Sequence, residues 1–459
     1  MATRARRQLG REWTTQARDG LTDGMFSAMR DKAQQDLGRH VSVGAESEAD
    51  LVGLPLPALS LRYLFQSTVF PLGRITQITG QEGSAKSLFL YEIYRWHMKY
   101  GGGSIHMENE NKDTSDLRHS VLNYNPQWLA RTHMVPSDSL EDWQEAMSYY
   151  LRLLRETMDT PGGPGKTVPT VLGIDSLMGT SPREEFERVM KDGHASRSFA
   201  LAALLISQYM RTFPRQLRGY PISVVGTNHL KPSTDARGLP SSTTPGGKSV
   251  KFYETFEIEM RPAQDRDISR TEYEGLRVQL IAKKNGFGPS RKRIQAEVLW
   301  WYDESDGTFR QRTAWDWNAA TVSLVLSLAS ANGKRAMYDA LTAVCDLRKA
   351  TGSKVWSRTL GIPEGESLEF REAGAMIEQR PDILHEWNKI LGIKERKVFQ
   401  PGMDYQALLQ AAVTEATTRT AEAYAPVAIS PSVHTEADTF DASDVPESEM
   451  PSDQEDDEA

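Results

Sequence analysis

The chain has 459 residues, 39% of them hydrophobic and 8% aromatic, enough apolar side chain for a sizeable core and more length than one ordinary domain needs. Its apolar runs, such as 322–328, are far too short to cross a bilayer, and the basic N-terminus (MATRARRQLGREW) lacks the apolar stretch of a secretory signal. A single cysteine, Cys345, excludes an internal disulfide framework and any multi-cysteine zinc or iron–sulfur site, so the expectation is a soluble protein of a reducing, cytoplasmic compartment with no membrane partner.

The formal charge of −8 is unevenly spread. Residues 431–459 hold eleven Asp and Glu and no Lys or Arg, so without them the remaining chain stands at +3. A tail of this kind is predicted to be disordered, and it either competes for a basic binding surface or acts as a solubiliser.

Along the chain, residues 1–53 are polar with a helical look over 21–37, and are expected to form a separate N-terminal helical segment. A turn-rich stretch (VGLPLPALS) then opens a run of alternating strand and helix signals. Residues 74–79 (RITQIT) read as a short buried strand, followed by a Gly-rich turn and a helix over 86–99. Residues 104–108 (SIHME), 170–175 (TVLGID) and 222–227 (ISVVGT) read as further strands, with helices over 140–157 and 198–211 between them. Later strands are expected at 276–283 and 294–301. Strands separated by helices predict an α/β core with a mostly parallel twisted sheet, over 54–318. The Ala/Leu-rich segments of 319–415 predict a small helical C-terminal domain, and 416–459 a linker running into the acidic tail.

The sharpest chemical signal is Gly80-Gln81-Glu82-Gly83-Ser84-Ala85-Lys86-Ser87, set between a strand and a helix. A phosphate-binding loop requires that placement: backbone N–H groups and the helix N-terminus cradle phosphates, the lysine neutralises their charge, and the hydroxyl ligates Mg²⁺. Ala85 stands where the pattern has its second glycine. Gly165-Lys166-Thr167 spells a similar tripeptide, but a strand follows it and prolines interrupt it, so it is expected to be a surface loop. Asp175, at the end of TVLGID, suits the carboxylate that completes the Mg²⁺ shell, giving Ser87 and Asp175 as the metal pair. Glu108, ending SIHME, is a candidate for deprotonating an attacking water, with Glu110 as the other nearby carboxylate.

The order of these features resembles the RecA-type recombinases, above all their phage-encoded relatives. The resemblance runs from about 54 to 302 and rests on the lead into the phosphate loop (LPLPALSLRYLFQSTVFPLGRITQITG), on SQYMR (207–211), on VVGTNHLK (224–231), on IAKKNGFGP (281–289) and most specifically on TTPGGKSVKFY (243–253). It implies a RecA-like P-loop ATPase core that binds ATP and Mg²⁺ through the 80–87 loop, with Lys86 and Glu108 catalytic, and an N-terminal segment that packs on the next protomer. It further implies that Asn228 and His229 sense the γ-phosphate, the histidine replacing the family's glutamine, and that Lys283 and Lys284 reach a neighbour's ATP. Two loops would face DNA: 182–196, with Arg183, Arg188 and Lys191, and 231–248, with Lys231, Arg237, Gly246, Gly247 and Lys248. The first is net neutral once the adjoining Arg197 is counted, and the second is dominated by small residues whose backbone amides are free for phosphates.

The implied activity is ATP-dependent pairing and strand exchange by a helical filament on single-stranded DNA, acting on duplex DNA in recombination and repair. Single-strand-binding and loader proteins are the expected partners, and a bacterial or phage-infected cell the expected setting. A hexameric helicase, a KaiC-like regulatory ATPase and a non-hydrolysing assembly protein remain as alternatives.

Overall fold

The computed structural model describes residues 52–110, 112, 115–192, 199–234, 240–243, 248–305 and 308–423, with a few positions between 25 and 36. The acidic tail and almost all of the expected N-terminal segment lie outside them.

Three short strands gather both ends of the described chain. β1 (Val52–Pro55) pairs antiparallel with β2 (Val69–Pro71), and Val52 and Gly53 pair in parallel with Lys397 and Val398. Between β1 and β2 lies α1 (Leu59–Phe65), buried over most of its length. The central sheet then starts with β3 (Ile75–Gly80), α2 (Lys86–Lys99) and β4 (Gly103–Glu108), as expected from the sequence. β5 (Thr132–Pro136) gave no strand signal and forms the sheet edge beside β4. α3 (Leu140–Asp159) follows, its N-terminus capped by the Ser139 hydroxyl, which accepts from the Asp142 amide at 3.1 Å, with Glu141 and Asp142 in the first turn. β6 (Thr170–Asp175), α4 (Arg183–Asp192), α5 (Phe199–Met210) and β7 (Ile222–His229) complete the alternation. Gly165–Thr167 is a short turn ahead of β6, consistent with its reading as a loop.

Beyond β7 the chain makes a small hairpin, β8 (Lys231–Thr234) with β9 (Pro240–Thr243), then α6 (Lys248–Tyr253). It returns through the long strand β10 (Phe256–Ser269), followed by β11 (Glu274–Asn285), β12 (Arg293–Ser305) and β13 (Thr308–Asp316). The nine-stranded order is β13-β12-β11-β10-β3-β7-β6-β4-β5. β10, β3, β7, β6, β4 and β5 run parallel; β11, β12 and β13 extend the sheet antiparallel. The central strands are buried on both faces, which is why TVLGID reads as a continuous apolar run instead of an alternation.

Each face has its own core. On one, Met107, Leu172, Ile174 and Val224 pack with Trp143, Met147 and Leu151 of α3 and with Ile206 and Met210 of α5. On the other, Ile78, Val171 and Val225 pack with Phe89, Leu90 and Ile93 of α2 and with β10–β12. That second cluster continues without interruption into Leu341, Val355, Ile377 and Trp387, so the segment after β13 shares the core of the sheet. This segment is mainly helical, as expected: α7 (Trp317–Ser327), α8 (Arg335–Val344), α9 (Phe370–Glu378) and α10 (Pro381–Ile390), with three short strands among them. The last helix, α11 (Tyr405–Ala423), runs past residue 416, where the composition predicts a linker.

Trp387 anchors this region: it is 0% exposed and its indole N–H donates to the Leu341 carbonyl at 2.9 Å. Trp387→Ala should cost about 3–5 kcal/mol through the cavity it leaves, read as a lower urea midpoint.

Candidate nucleotide-binding site

The site forms where β3 ends and α2 begins. Gly80 needs its missing side chain, because a Cβ there would lie 2.6 Å from the Met260 carbonyl oxygen of β10. The turn that follows is drawn tight by its own bonds: the Ser84 hydroxyl donates to the Gln81 carbonyl at 2.7 Å, and the Lys86 ammonium donates to the same oxygen at 2.8 Å. Gly83 and Ala85 both take left-handed backbone, with φ of 70° and 65°. Alanine in that region costs about 1–2 kcal/mol relative to glycine, so the loop keeps its shape despite the substituted residue.

Lys86 is 7% exposed, and burial pulls its ammonium below the usual lysine range while Asp175 and Glu110 act in the opposite direction. Across from it the Ser87 hydroxyl donates to the Asp175 carboxylate at 2.5 Å, and the Thr227 hydroxyl from β7 donates to the other Asp175 oxygen. The expected metal pair is therefore in contact. Among the described residues no cluster of three or more His, Cys, Asp or Glu can hold a metal ion. Two oxygen donors beside a phosphate loop fit Mg²⁺, which keeps most of its shell as water and phosphate oxygen.

These residues line a cavity of about 320 Å³ together with Glu110, Lys112, His229 and Arg266. Of the two acids at the end of β4, Glu110 and not Glu108 lines its wall, along with Glu82 and Asp175. Glu108 turns toward β4, with one oxygen 3.4 Å from His106 Nε2 and the other accepting the Glu110 amide at 2.9 Å. Burial raises its carboxyl, but His106 and these amides prevail and leave it below the usual range. Glu110 accepts from His229 Nε2 at 2.7 Å and from the Ser176 hydroxyl at 2.5 Å, with the Lys112 ammonium 3.3 Å away. The His229 bond is the largest cause holding its carboxyl down, to about 2, against a smaller upward push from burial. Asn228 is fully buried, and its side-chain oxygen accepts the His229 amide at 3.0 Å.

Lys283 and Lys284 do not line this cavity. Glu257 pairs with Lys284 and Ile258 with Ala282, so Lys283 is the extra residue of a β-bulge that aims neighbouring side chains to one face. There the Lys283 ammonium lies 2.9 Å from the buried Glu259 carboxylate, while Lys284 donates to the Lys251 carbonyl at the end of α6.

The expected DNA-facing arginines of α4 are engaged. Arg183 pairs with Asp142 and Glu145, and Arg188 with Glu184, whereas Phe186 and Met190 stand 58% and 72% exposed. Lys191 is exposed. Arg237, Gly246 and Gly247 lie outside the described residues, and Lys231 and Lys248 are described by backbone alone, as the first residues of β8 and α6. Arg266 and Lys112 carried no motif: Arg266 comes from the outer half of β10, and Lys112 from the chain beyond the end of β4.

A mostly parallel sheet with a strand–turn–helix glycine loop and a strand-end carboxylate on the neighbouring hydroxyl is the arrangement that suits a candidate phosphate-binding loop. The family model described as RecA N-terminal domain matches residues 166–304, which carry Asp175, His229, the second loop and the lysine pair. The chain is similar to Protein RecA of Lactiplantibacillus pentosus, 26% identical over 232 residues, covering 50% of this chain and 55% of that one. It is also similar to Protein RecA of Levilactobacillus brevis (24% over 271 residues, 59% and 66% covered) and of Lactobacillus johnsonii (24% over 286 residues, 62% and 73% covered). The chain thus spans only about half the length of the first of these relatives. The chain is similar to these RecA proteins, and its fold is a RecA-like α/β core.

Removing the imidazole should release Glu110. In His229→Ala its carboxyl should titrate near the ordinary 4.5 instead of about 2, checked by NMR of labelled glutamate. Because the folded value is depressed, this pair stabilises the protein above pH 4.5 and the contribution is lost as pH falls toward 2, so the variant should lose acid resistance in that window.

Proposed function

We propose that this chain is a DNA-dependent ATPase that assembles as a helical filament on single-stranded DNA and promotes pairing and strand exchange with duplex DNA. The observation that carries the reading is the Glu110–His229 hydrogen bond, which joins a carboxylate on the nucleotide cavity to the last residue of β7, where the long 231–248 segment departs.

In this reading Lys86 and the loop amides hold the phosphates of ATP, and Ser87 and Asp175 hold Mg²⁺, which when bound neutralises charge on the phosphate oxygens. Glu110 takes a proton from the attacking water, whose oxygen bonds to the terminal phosphorus as the bond to ADP breaks. A carboxyl held near 2 by His229 is a poor base. Movement of His229 when DNA orders the second loop would restore its basicity, so hydrolysis would follow DNA binding. Lys283, once it leaves Glu259, would supply positive charge to the nucleotide of a neighbouring protomer, whereas Lys284 holds the end of α6. Contacts to DNA would come mainly from the second loop and its backbone amides, since the arginines of α4 are already paired.

Images of the full chain with single-stranded DNA and ATP test the assembly directly. Helical filaments are expected; closed rings would favour a hexameric motor, and no assembly would sink the filament reading. In the same preparations Lys86→Ala should abolish nucleotide binding or hydrolysis. Glu110→Gln should spare binding and slow DNA-stimulated hydrolysis about 10²-fold or more, while Glu108→Gln stays close to the parent.

A further inference from the structure

The phosphate loop is approached by a second cation from a different element. β10 runs parallel beside β3 only as far as Met260, which pairs with Gly80; its outer half continues past the end of β3 and overhangs the turn that follows. Arg266 lies on that overhang and lines the same cavity as Lys86, Ser87 and Asp175. Its guanidinium stands over Gly83: a methyl group built on that glycine would sit 3.7 and 3.8 Å from the two terminal nitrogens. Gly83 presents only backbone at this point.

The guanidinium has donors to spare. Its one ion pair among the described residues is with Asp267, the next residue in sequence, at 3.6 Å, and that carboxylate is 89% exposed. A pair of this length and exposure contributes little. A planar guanidinium over the 80–87 loop is instead matched to phosphate oxygens, which it can bind with two parallel N–H bonds.

We propose that Arg266 is a phosphate ligand in cis, binding the phosphate chain of the nucleotide together with Lys86 from the overhanging half of β10. This rests on the reading of the 80–87 loop as a nucleotide site. It makes that site more cationic within one chain than the loop motif alone, and it gives the site a positive group in addition to any lysine donated by a neighbour.

The test is nucleotide affinity without DNA, measured calorimetrically on the full chain with ATP and ADP in about 0.1 M salt. Arg266→Ala should weaken ATP binding about tenfold or more, the scale of a lost charge-assisted hydrogen bond, with an unchanged melting profile. Asp267→Ala, which removes only the competing carboxylate, should bind ATP as tightly as the parent or tighter. An Arg266→Ala protein within twofold of the parent would overturn the proposal, and so would equal losses in Arg266→Ala and Asp267→Ala, which would mark the pair as structural. The parent and Lys86→Ala proteins separate the two levels: a parent that binds no ATP refutes the nucleotide site itself, whereas a parent that binds and loses binding only in Lys86→Ala refutes Arg266 alone.

Discussion

A helix N-terminus and a strand C-terminus meet where the Ser87 hydroxyl bonds the Asp175 carboxylate, and most of the site's geometry follows from that contact. It can form only if β3 and β6 lie in one parallel sheet with β7 between them, because then their C-terminal ends open on the same edge. Thr227 on β7 holds the other Asp175 oxygen, so the start of α2, the end of β6 and the end of β7 are bonded into one polar row. Lys86 is buried next to that row, and its charge is tolerated there because Asp175 and Glu110 lie close enough to offset part of the desolvation. Loss of the row would leave the half-buried Asp175 carboxylate without its two hydroxyl donors, beside an ammonium held only by the Gln81 carbonyl.

How much of this was legible in the sequence depended on whether the signal was local. β3, β4, β6 and β7 announce themselves because buried parallel strands are short apolar runs, and the phosphate loop because its glycine spacing is bound to a strand–turn–helix context. β5 and β13 were missed: edge strands carry polar residues, and their pairing is decided by the neighbour they find. The carboxylate assignment turned on two residues. Alternation along SIHME leads to Glu108 as the strand-end acid, but the chain bends after it and Glu110 is the one that reaches Ser176 and His229, a tertiary fact with no local signature. The lysine pair shows the same limit, since a single bulged residue in β11 decides where Lys283 and Lys284 point.

Charge on the expected DNA side is distributed differently from a plain basic patch. On α4 the arginines are consumed by Asp142, Glu145 and Glu184, so this helix cannot supply much of a salt-dependent phosphate attraction. What it does present is apolar, with Phe186 and Met190 one turn apart. In the proposed reading, affinity for DNA would come from the segment after β7, which leaves the sheet beside the cavity. That arrangement places the ligand-dependent parts of the molecule in series, with the cavity, His229 and the second loop lying along one strand and its continuation.

The two departures from the expected pattern, Ala85 and His229, lie at the two ends of that series, and the physical consequences differ. Ala85 keeps the left-handed backbone that the turn requires, and its methyl packs against the core beneath α2, so the strain is local and the loop shape survives. His229 alters the connection itself. With Glu110 acting as acceptor, Nε2 must be the donating nitrogen, and a ring has one rigid direction in which to donate. A glutamine, with three side-chain torsions, could follow a moving carboxylate further than an imidazole with two. The contact joins Glu110 to the last residue of β7, where the chain leads into the second loop.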